Sequence, residues 1–208
     1  ILGVNTGRLG FLTSIQKENI QEAISQINEN KFSVIKRTLL EVKSDSINNA
    51  FSDYPFALNE ITIQRKDTTS LLNISCQINE NYLTNYWSDG LIISTPTGST
   101  GYSLSNGGSI VSPESNVTIL NPIAPHNINM RSLVIPDNSK INIDIEGDSD
   151  INLSIDSRMY SVNCSNQIEI LKADFTIGTI KFDNDNFYKR LREKLFWGQD
   201  MRNKNIKK

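Results

Sequence analysis

Residues 87–108 carry the clearest chemistry in this chain. An apolar run at 91–93 leads into a loop of Thr, Pro, Gly and Ser, and we expect a helix to start near 100–102. The first main-chain N–H groups of a helix have no partner within it, and the helix dipole favours negative charge there. Loop glycines let a ligand approach the main chain closely. The pattern indicates a site for a phosphate or polyhydroxylated ligand, with hydroxyl donors at Thr97, Ser99, Thr100 and Tyr102.

Two polar pairs elsewhere in the sequence are further candidates. Asn59 and Glu60 follow the apolar stretch 55–58, and Asp89 with Gly90 precedes the apolar run. From the residues alone, the first is best interpreted as a polar pair within a strand, and an Asp-Gly pair is most often a turn. Asp156 lies between alternating apolar segments, and we interpret it as a turn residue.

Composition and missing motifs exclude several classes of protein. The 208 residues carry a formal net charge of −2, whereas nucleic-acid binders usually present a basic surface. Two cysteines cannot form a disulfide framework, and no apolar run approaches the ~20 residues that span a membrane. The sequence contains no Walker-type P-loop, no G-x-G-x-x-G and no G-x-S-x-G. His126 is the only histidine, which argues against a metal site or a catalytic triad.

The elements that position these residues change along the chain. Residues 1–4 form an apolar run ending at a turn, and 16–29 have apolar residues at helical spacing, with Ser14 as a candidate cap. We interpret 1–32 as the remnant of an α/β domain. Short Val-, Ile- and Leu-rich segments between turn signals then predict a β-rich domain of stacked, sandwich-like sheets over 33–183. The predicted strands are 34–42, 56–64, 71–78, 132–135, 140–145, 151–155 and 167–173, and 187–195 predicts a terminal helix.

Five sequence blocks resemble the ATP-NAD kinase family, in the family's order. Residues 95–108 resemble its TPTGSTAYSLSAGG block, with Gly101 in place of the usual Ala. The other blocks cover nearly the whole chain and lie at 2–13, 58–60, 121–126 and 191–198. The resemblance implies the NAD kinase fold, in which 184–208 would comprise a helix returning to the N-terminal domain and a basic tail. The sequence also departs from the family's usual Asp-Gly-Gln at 156–158, which puts any ligand contact of Asp156 in doubt.

The resemblance implies an NAD kinase that phosphorylates the 2′-hydroxyl of the NAD adenosine ribose, using ATP with Mg²⁺, to give NADP⁺. The family carries a GGDGT motif, whose Asp activates that hydroxyl, upstream of the block at 2–13. This sequence contains no GGDGT and starts at Ile1 rather than at a Met. We therefore expect the chain to be an N-terminally truncated fragment whose catalytic Asp is missing upstream of Ile1. Such a fragment would bind NAD but show no turnover.

The resemblance also implies roles for individual residues. Asn59 would hydrogen-bond the adenosine portion, Glu60 would lie by a ribose, and Asp89 would contact the nicotinamide end. The predicted dinucleotide-binding set is completed by Phe11, Thr97, Thr100, Gly101, Tyr102, Ser105, Ala124 and His126. We expect Ala124 and His126 to lie beside the dinucleotide of their own or a neighbouring subunit.

Two other functions remain open at this point: a lipid or sphingoid kinase of the same fold, and a non-catalytic β-sandwich binding module. The resemblance further implies a cytoplasmic homodimer or homotetramer whose partners are NAD⁺, NADP⁺ and ATP, without nucleic acid or membrane. The sequence does not fix the phosphate donor, the preference between NAD and NADH, or the oligomeric state.

Overall fold

The computed structural model describes residues 1–6, 11–13, 15–44, 54–66, 70–147, 150–164, 167–183 and 185–198. Within these residues the chain forms two compact units, one of 1–36 with 178–208 and one of 37–177. The predicted domain boundaries at 32/33 and 183/184 stay predictions. No helix among the described residues is both long and apolar enough to cross a membrane.

The first unit combines helices with a small parallel sheet. Strand β1 (Val4–Asn5) pairs with β2 (Ile15–Gln16), followed by a 3₁₀ turn (Lys17–Asn19), α1 (Ile20–Asn28) and, late in the chain, α3 (Phe187–Leu195). The helix predicted at 16–29 starts later because its first turn is 3₁₀, and the candidate cap Ser14 lies outside the described residues. Helix α3 has the predicted bounds and is capped by Asn186, whose side chain accepts from the main chain of Tyr188 at 2.8 Å.

The second unit contains most of two six-stranded sheets, which confirms the predicted all-β C-terminal domain. In order, the first sheet contains β10 (Leu133–Pro136), β9 (Val117–Ile123), β8 (Gly90–Ser94), β5 (Glu60–Arg65), β12 (Asp150–Ile155) and β13 (Arg158–Asn163). The second contains β4 (Phe56–Ala57), β3 (Phe32–Lys43), β14 (Ile168–Phe182), β11 (Ile141–Glu146), β6 (Leu72–Ile78) and β7 (Asn81–Ser88). Strands β3 and β14 each carry the chain from one unit into the other.

The core of the second unit lies between the sheets, because alternate residues of each strand point inward. Strands β6, β11 and β12 alternate between buried and partly exposed positions, and their buried isoleucines and leucines join one cluster. Strand β8 is buried at all five positions: Leu91 and Ile93 belong to that cluster, whereas Ile92 is fully buried outside it. The short helix α2 (Tyr102–Ser105) packs against β8.

The order of the antiparallel strands determines which loops meet. Strands β8 and β12 both run antiparallel to β5, so the end of β8 and the end of β12 lie beside the start of β5. Strand β9 runs antiparallel to β8, so the end of β9 lies beside the start of β8. The candidate site residues of this unit are therefore divided between two ends of the same sheet.

Candidate functional site

The loop at 95–101, which we call the Thr-Gly loop, is built by its own hydroxyl groups. The Thr95 hydroxyl donates to the Leu58 carbonyl at 2.6 Å and accepts from the Gly98 N–H at 3.1 Å. The buried Ser99 hydroxyl donates to the Pro96 carbonyl at 2.7 Å, so it serves the loop rather than a ligand. The expected helix is a 3₁₀ turn (Gly98–Thr100) followed by the four residues of α2. So short a helix has a weak dipole, and the N–H groups of Thr95, Gly98, Ser99 and Gly101 are already bonded within the protein.

Asn59 and Glu60 lie directly against this loop. The Asn59 carbonyl accepts from the Thr95 N–H at 2.9 Å and from the Ser94 hydroxyl at 3.3 Å. A Cβ atom at Gly98 would lie 2.5 Å from the Asn59 carbonyl carbon and closer still to its oxygen, a separation that real structures do not show. Only glycine fits there, and the two sequence blocks meet through their main chains.

Asp156 also binds the segment at 58–60, through its side chain. It occupies the turn between β12 and β13, as predicted, with a left-handed φ of 50°. Its carboxylate accepts from three successive main-chain N–H groups: Leu58 at 2.9 Å, Asn59 at 2.7 Å and Glu60 at 3.2 Å. The sequence did not reveal this clamp, because the partners are about 100 positions away along the chain.

The Glu60 carboxyl group is held in an unusual environment. Burial raises its pKa to about 7, the negative charge of Asp156 adds to the rise, and the Tyr102 N–H opposes it. Its buried Oε2 has no hydrogen-bond partner among the described residues, and a Cβ atom at Gly101 would lie 3.0 Å from it. A carboxyl group in this state can both donate and accept a hydrogen bond near neutral pH.

The remaining predicted residues of the loop and α2 are placed as follows. Thr97 accepts from the Arg37 guanidinium at 3.5 Å, and Thr100 donates to the Thr97 carbonyl at 3.4 Å. Tyr102 is 39% exposed, and its hydroxyl accepts from the Gln64 amide at 2.7 Å. Ser105 is exposed at the end of α2. We call Asn59, Glu60, Asp156 and the Thr-Gly loop the loop cluster.

Asp89, Ala124 and His126 form a second group at the opposite end of β8, which we call the strand-start cluster. Asp89 donates its N–H to the Ile123 carbonyl at 2.9 Å, and His126 donates its N–H to the Trp87 carbonyl at 2.8 Å. Six residue steps separate Asp89 from Thr95, which is roughly 20 Å in an extended strand. The structure therefore does not bring Asp89 together with Asn59.

The Asp89 carboxylate is paired with a cation. Arg65 Nη2 donates to it at 3.1 Å, and the two side chains are 26% and 30% exposed. The main chains reinforce the pair, since the Arg65 N–H donates to the Asp89 carbonyl at 3.0 Å. The Asp89 carboxylate stays partly accessible, and the positive charge of Arg65 offsets its negative charge locally.

Beyond Asp89, the cluster consists of an exposed loop. Ala124 has a φ of 43°, which is uncommon for a residue with a side chain, and His126 is exposed. A pocket of about 320 Å³ adjoins the loop, lined in part by Asn106, Pro122 and Pro125. The described residues contain no group of three or more His, Cys, Asp or Glu side chains able to hold a metal ion.

Phe11 belongs to the first unit. Its ring meets Phe187 edge-on at 5.8 Å, and its carbonyl accepts from Arg190 Nη1 at 3.0 Å. The neighbouring residues 7–10 lie outside the described residues. These contacts give Phe11 a structural role in its own unit, and its contact with a dinucleotide stays a prediction.

Ile1 is the residue upstream of which the resemblance places the catalytic aspartate. Its main-chain nitrogen lies 2.7 Å from the Gly178 carbonyl oxygen, and its carbonyl accepts from the Ile180 N–H at 2.9 Å. The Ile1 side chain is 74% exposed and has no group that could accept a proton. Ile1 therefore contributes main-chain contacts to the first unit, and the position of the catalytic aspartate before Ile1 stays a prediction.

Comparison with known sequences identifies relatives over almost the full chain. The sequence model of the ATP-NAD kinase C-terminal domain matches residues 58–182. The NAD kinase of Flavobacterium psychrophilum is 50% identical over 204 residues, 98% of this chain and 69% of its own length. The NAD kinase of Bacteroides fragilis is 41% identical over 203 residues, again 69% of its length.

Comparison with solved structures gives the same family. Yeast NADH kinase, solved in complex with NADH, superposes with a TM-score of 0.86 at 26% identity. The match covers 100% of this chain and 60% of the yeast chain. The NAD kinase of Archaeoglobus fulgidus, solved in complex with ATP, gives a TM-score of 0.77 at 27% identity and covers 94% of this chain and 73% of that one.

Proposed function

This chain belongs to the ATP-NAD kinase family, and we propose that it carries the dinucleotide-binding part of an enzyme that phosphorylates the 2′-hydroxyl of the NAD⁺ adenosine ribose with ATP. The resemblance found in the sequence is confirmed by relatives 41% and 50% identical, both NAD kinases. They favour this function over a lipid kinase or a non-catalytic binding module. The acceptor hydroxyl, the roles of individual residues, a homo-oligomeric state and a cytoplasmic location stay proposals.

The main support is the packing of Asn59 and Glu60 against the Thr-Gly loop. Two separate sequence blocks meet at one end of the sheet, where Thr95 and Gly98 pack against the Asn59 carbonyl. The result is a surface of tightly packed main chain and hydroxyl groups, with the Glu60 carboxyl group beside it. Such a surface suits ribose hydroxyls and diphosphate oxygens, and phosphoryl transfer depends largely on positioning of this kind.

We assign the two clusters to different parts of the ligand. The loop cluster would bind the adenosine half, where Asn59 can both donate to and accept from adenine. The strand-start cluster would bind the nicotinamide end, where Asp89 can accept from the carboxamide. Because the clusters lie roughly 20 Å apart along β8, an extended dinucleotide must bridge them, or a neighbouring copy supplies the second one.

ATP would bring its divalent cation, Mg²⁺, to the site. The described residues contain no cluster of three or more His, Cys, Asp or Glu side chains that could hold the ion. The family resemblance places the residue that activates the acceptor hydroxyl in a GGDGT motif, which this sequence does not contain. The contribution assigned to this chain is therefore binding and orientation of the dinucleotide.

The full-length enzyme is expected to form NADP⁺ from NAD⁺ and ATP, and Asp89→Asn is expected to raise its KM for NAD⁺ roughly 10-fold with a smaller change in kcat. Asparagine keeps an acceptor oxygen but loses the charge, which costs about 1.4 kcal/mol, a factor of about ten in affinity. Initial rates measured with a coupled NADP⁺ assay check both statements.

A matched control for this variant is Glu169→Gln. Glu169 is 28% exposed and ion-paired with Lys140 in the other sheet, so its loss should leave the KM unchanged. Wild-type kinetics for Asp89→Asn would remove Asp89 from the site, and absence of NADP⁺ formation by the wild-type enzyme would overturn the proposed reaction.

A further inference from the structure

We propose that Asp156 is a positioning residue of the loop cluster, which fixes the main chain of Leu58, Asn59 and Glu60 where this segment meets the Thr-Gly loop. The geometric part stands on the structure alone. The consequence for ligand binding rests on the proposed function, because it assumes that the loop cluster binds a dinucleotide.

The hydrogen bonds around Asp156 are reciprocal. Its carboxylate accepts from the N–H groups of Leu58, Asn59 and Glu60, while its own N–H donates to the Glu60 carbonyl at 2.9 Å. The Ser154 hydroxyl donates to the Asp156 carbonyl at 2.7 Å and braces the turn. One side chain thus holds three consecutive main-chain groups.

The N–H groups that Asp156 binds have few other acceptors. Leu58 and Asn59 lie between β4 and β5, where the strand ladder is interrupted. Half-buried N–H groups that lose their acceptor cost roughly 1–3 kcal/mol each unless water replaces it. Asp156 also tolerates its left-handed φ better than most residues, because a short polar side chain can bond locally.

The charges that face Glu60 come mainly from Asp156. The residue opposite Glu60 on the neighbouring strand β8 is Ser94, which does not titrate. Helix α2 provides the Tyr102 N–H, which donates to the Glu60 carboxyl group. The Tyr102 hydroxyl is bonded to Gln64. Arg158, at the start of β13, donates to the carbonyls of Tyr54 and Phe56 at 2.8 and 2.6 Å.

This arrangement has a consequence for an anionic ligand. A protonated Glu60 can donate to a hydroxyl or phosphate oxygen and does not repel a diphosphate, whereas the ionised form can only accept. We therefore expect binding of NAD⁺ to weaken as the pH rises through about 7, the pKa of Glu60.

The first test needs no ligand. Carboxyl NMR of the wild-type chain should show Glu60 titrating with a pKa about 7. In Asp156→Asn that pKa should fall. At least one of the amides of Leu58, Asn59 and Glu60 should exchange with solvent at least roughly 10-fold faster, since Oδ1 accepts from Asn59 and Glu60 and Oδ2 from Leu58, whereas an amide side chain has one acceptor oxygen. Asp150→Asn, a surface change at the start of β12, should alter neither quantity.

The second test measures NAD⁺ binding by calorimetry at pH 6 and pH 8. Wild type should bind more tightly at pH 6, and Asp156→Asn should bind roughly 10-fold more weakly there with a smaller pH effect. Unchanged exchange of all three amides in Asp156→Asn would overturn the proposal. If that variant does not fold, wild-type amides of Leu58, Asn59 and Glu60 that exchange as fast as unprotected amides would overturn it. Absence of NAD⁺ binding by a wild-type chain with the expected Glu60 titration would count against the proposed function instead.

Discussion

Replacing Gly98 by Ala is expected to weaken NAD⁺ binding roughly 100-fold and to lower the free energy of unfolding by about 3 kcal/mol. The added Cβ would lie 2.5 Å from the Asn59 carbonyl carbon and 2.7 Å from the Ser94 hydroxyl. The first contact is with the main chain of Asn59, which cannot move away without breaking the bond between the Asn59 carbonyl and the Thr95 N–H. Calorimetric titration with NAD⁺ and denaturant unfolding measure the two effects.

Gly101→Ala is the matched control, three residues further along the same loop. Its Cβ would lie 3.0 Å from Glu60 Oε2 and 3.1 Å from the Gly98 carbonyl oxygen, which small shifts can relieve. Alanine is also the usual residue in the family at this position. We expect less than about a 3-fold change in affinity. Equal damage from both substitutions would show that close main-chain packing at Gly98 is not what the loop requires.

The strands that the sequence predicted well are those with one buried face. Residues 140–145 and 151–155 alternate apolar and polar side chains, and the structure has strands at Ile141–Glu146 and Asp150–Ile155. Strands β7, β9 and β13 were missed because Asn, Tyr, Ser and Pro interrupt their alternation. The predicted strand at 56–64 is divided in two, since Leu58 and Asn59 leave the ladder to meet Asp156 and Thr95.

The sequence indicated which residues to consider for the candidate site, but not how these residues are arranged in space. Local motifs revealed the Thr-Gly loop and the Asn59-Glu60 pair, because their composition is unusual over a few residues. The strand order that separates Asp89 from the loop is a long-range property, and it decides which residues share a sheet end. The Asp156 clamp was missed for the same reason. The sequence does not show which main-chain groups a turn aspartate will meet, and only the fold brings residues 58–60 next to it.

Glu60→Gln is expected to stabilise the protein at alkaline pH and to change little in acid. The unfolded carboxyl group has a pKa of 4.5, and burial together with Asp156 raises the folded value to about 7. Below pH 4.5 both states are protonated and Glu60 has no effect. Between pH 4.5 and 7 the folded state binds more protons than the unfolded state, so wild-type stability falls as the pH rises, and the loss is complete above about pH 7.

Glutamine copies the protonated form at every pH, so the variant avoids this loss. Because solvent partly screens this incompletely buried side chain, the difference in pKa corresponds to a reduced value of about 2–3 kcal/mol of extra stability for Glu60→Gln at pH 8.5, declining to near zero at pH 4.5. Urea unfolding at both pH values measures it. Glu41→Gln, a half-buried carboxylate paired with Lys43 on β3, should not become more stable at pH 8.5. A Glu60→Gln variant that is equally stable or less stable than wild type at pH 8.5 would mean that Glu60 is ionised and well solvated in the folded protein, and that its carboxylate meets the ligand as an acceptor only.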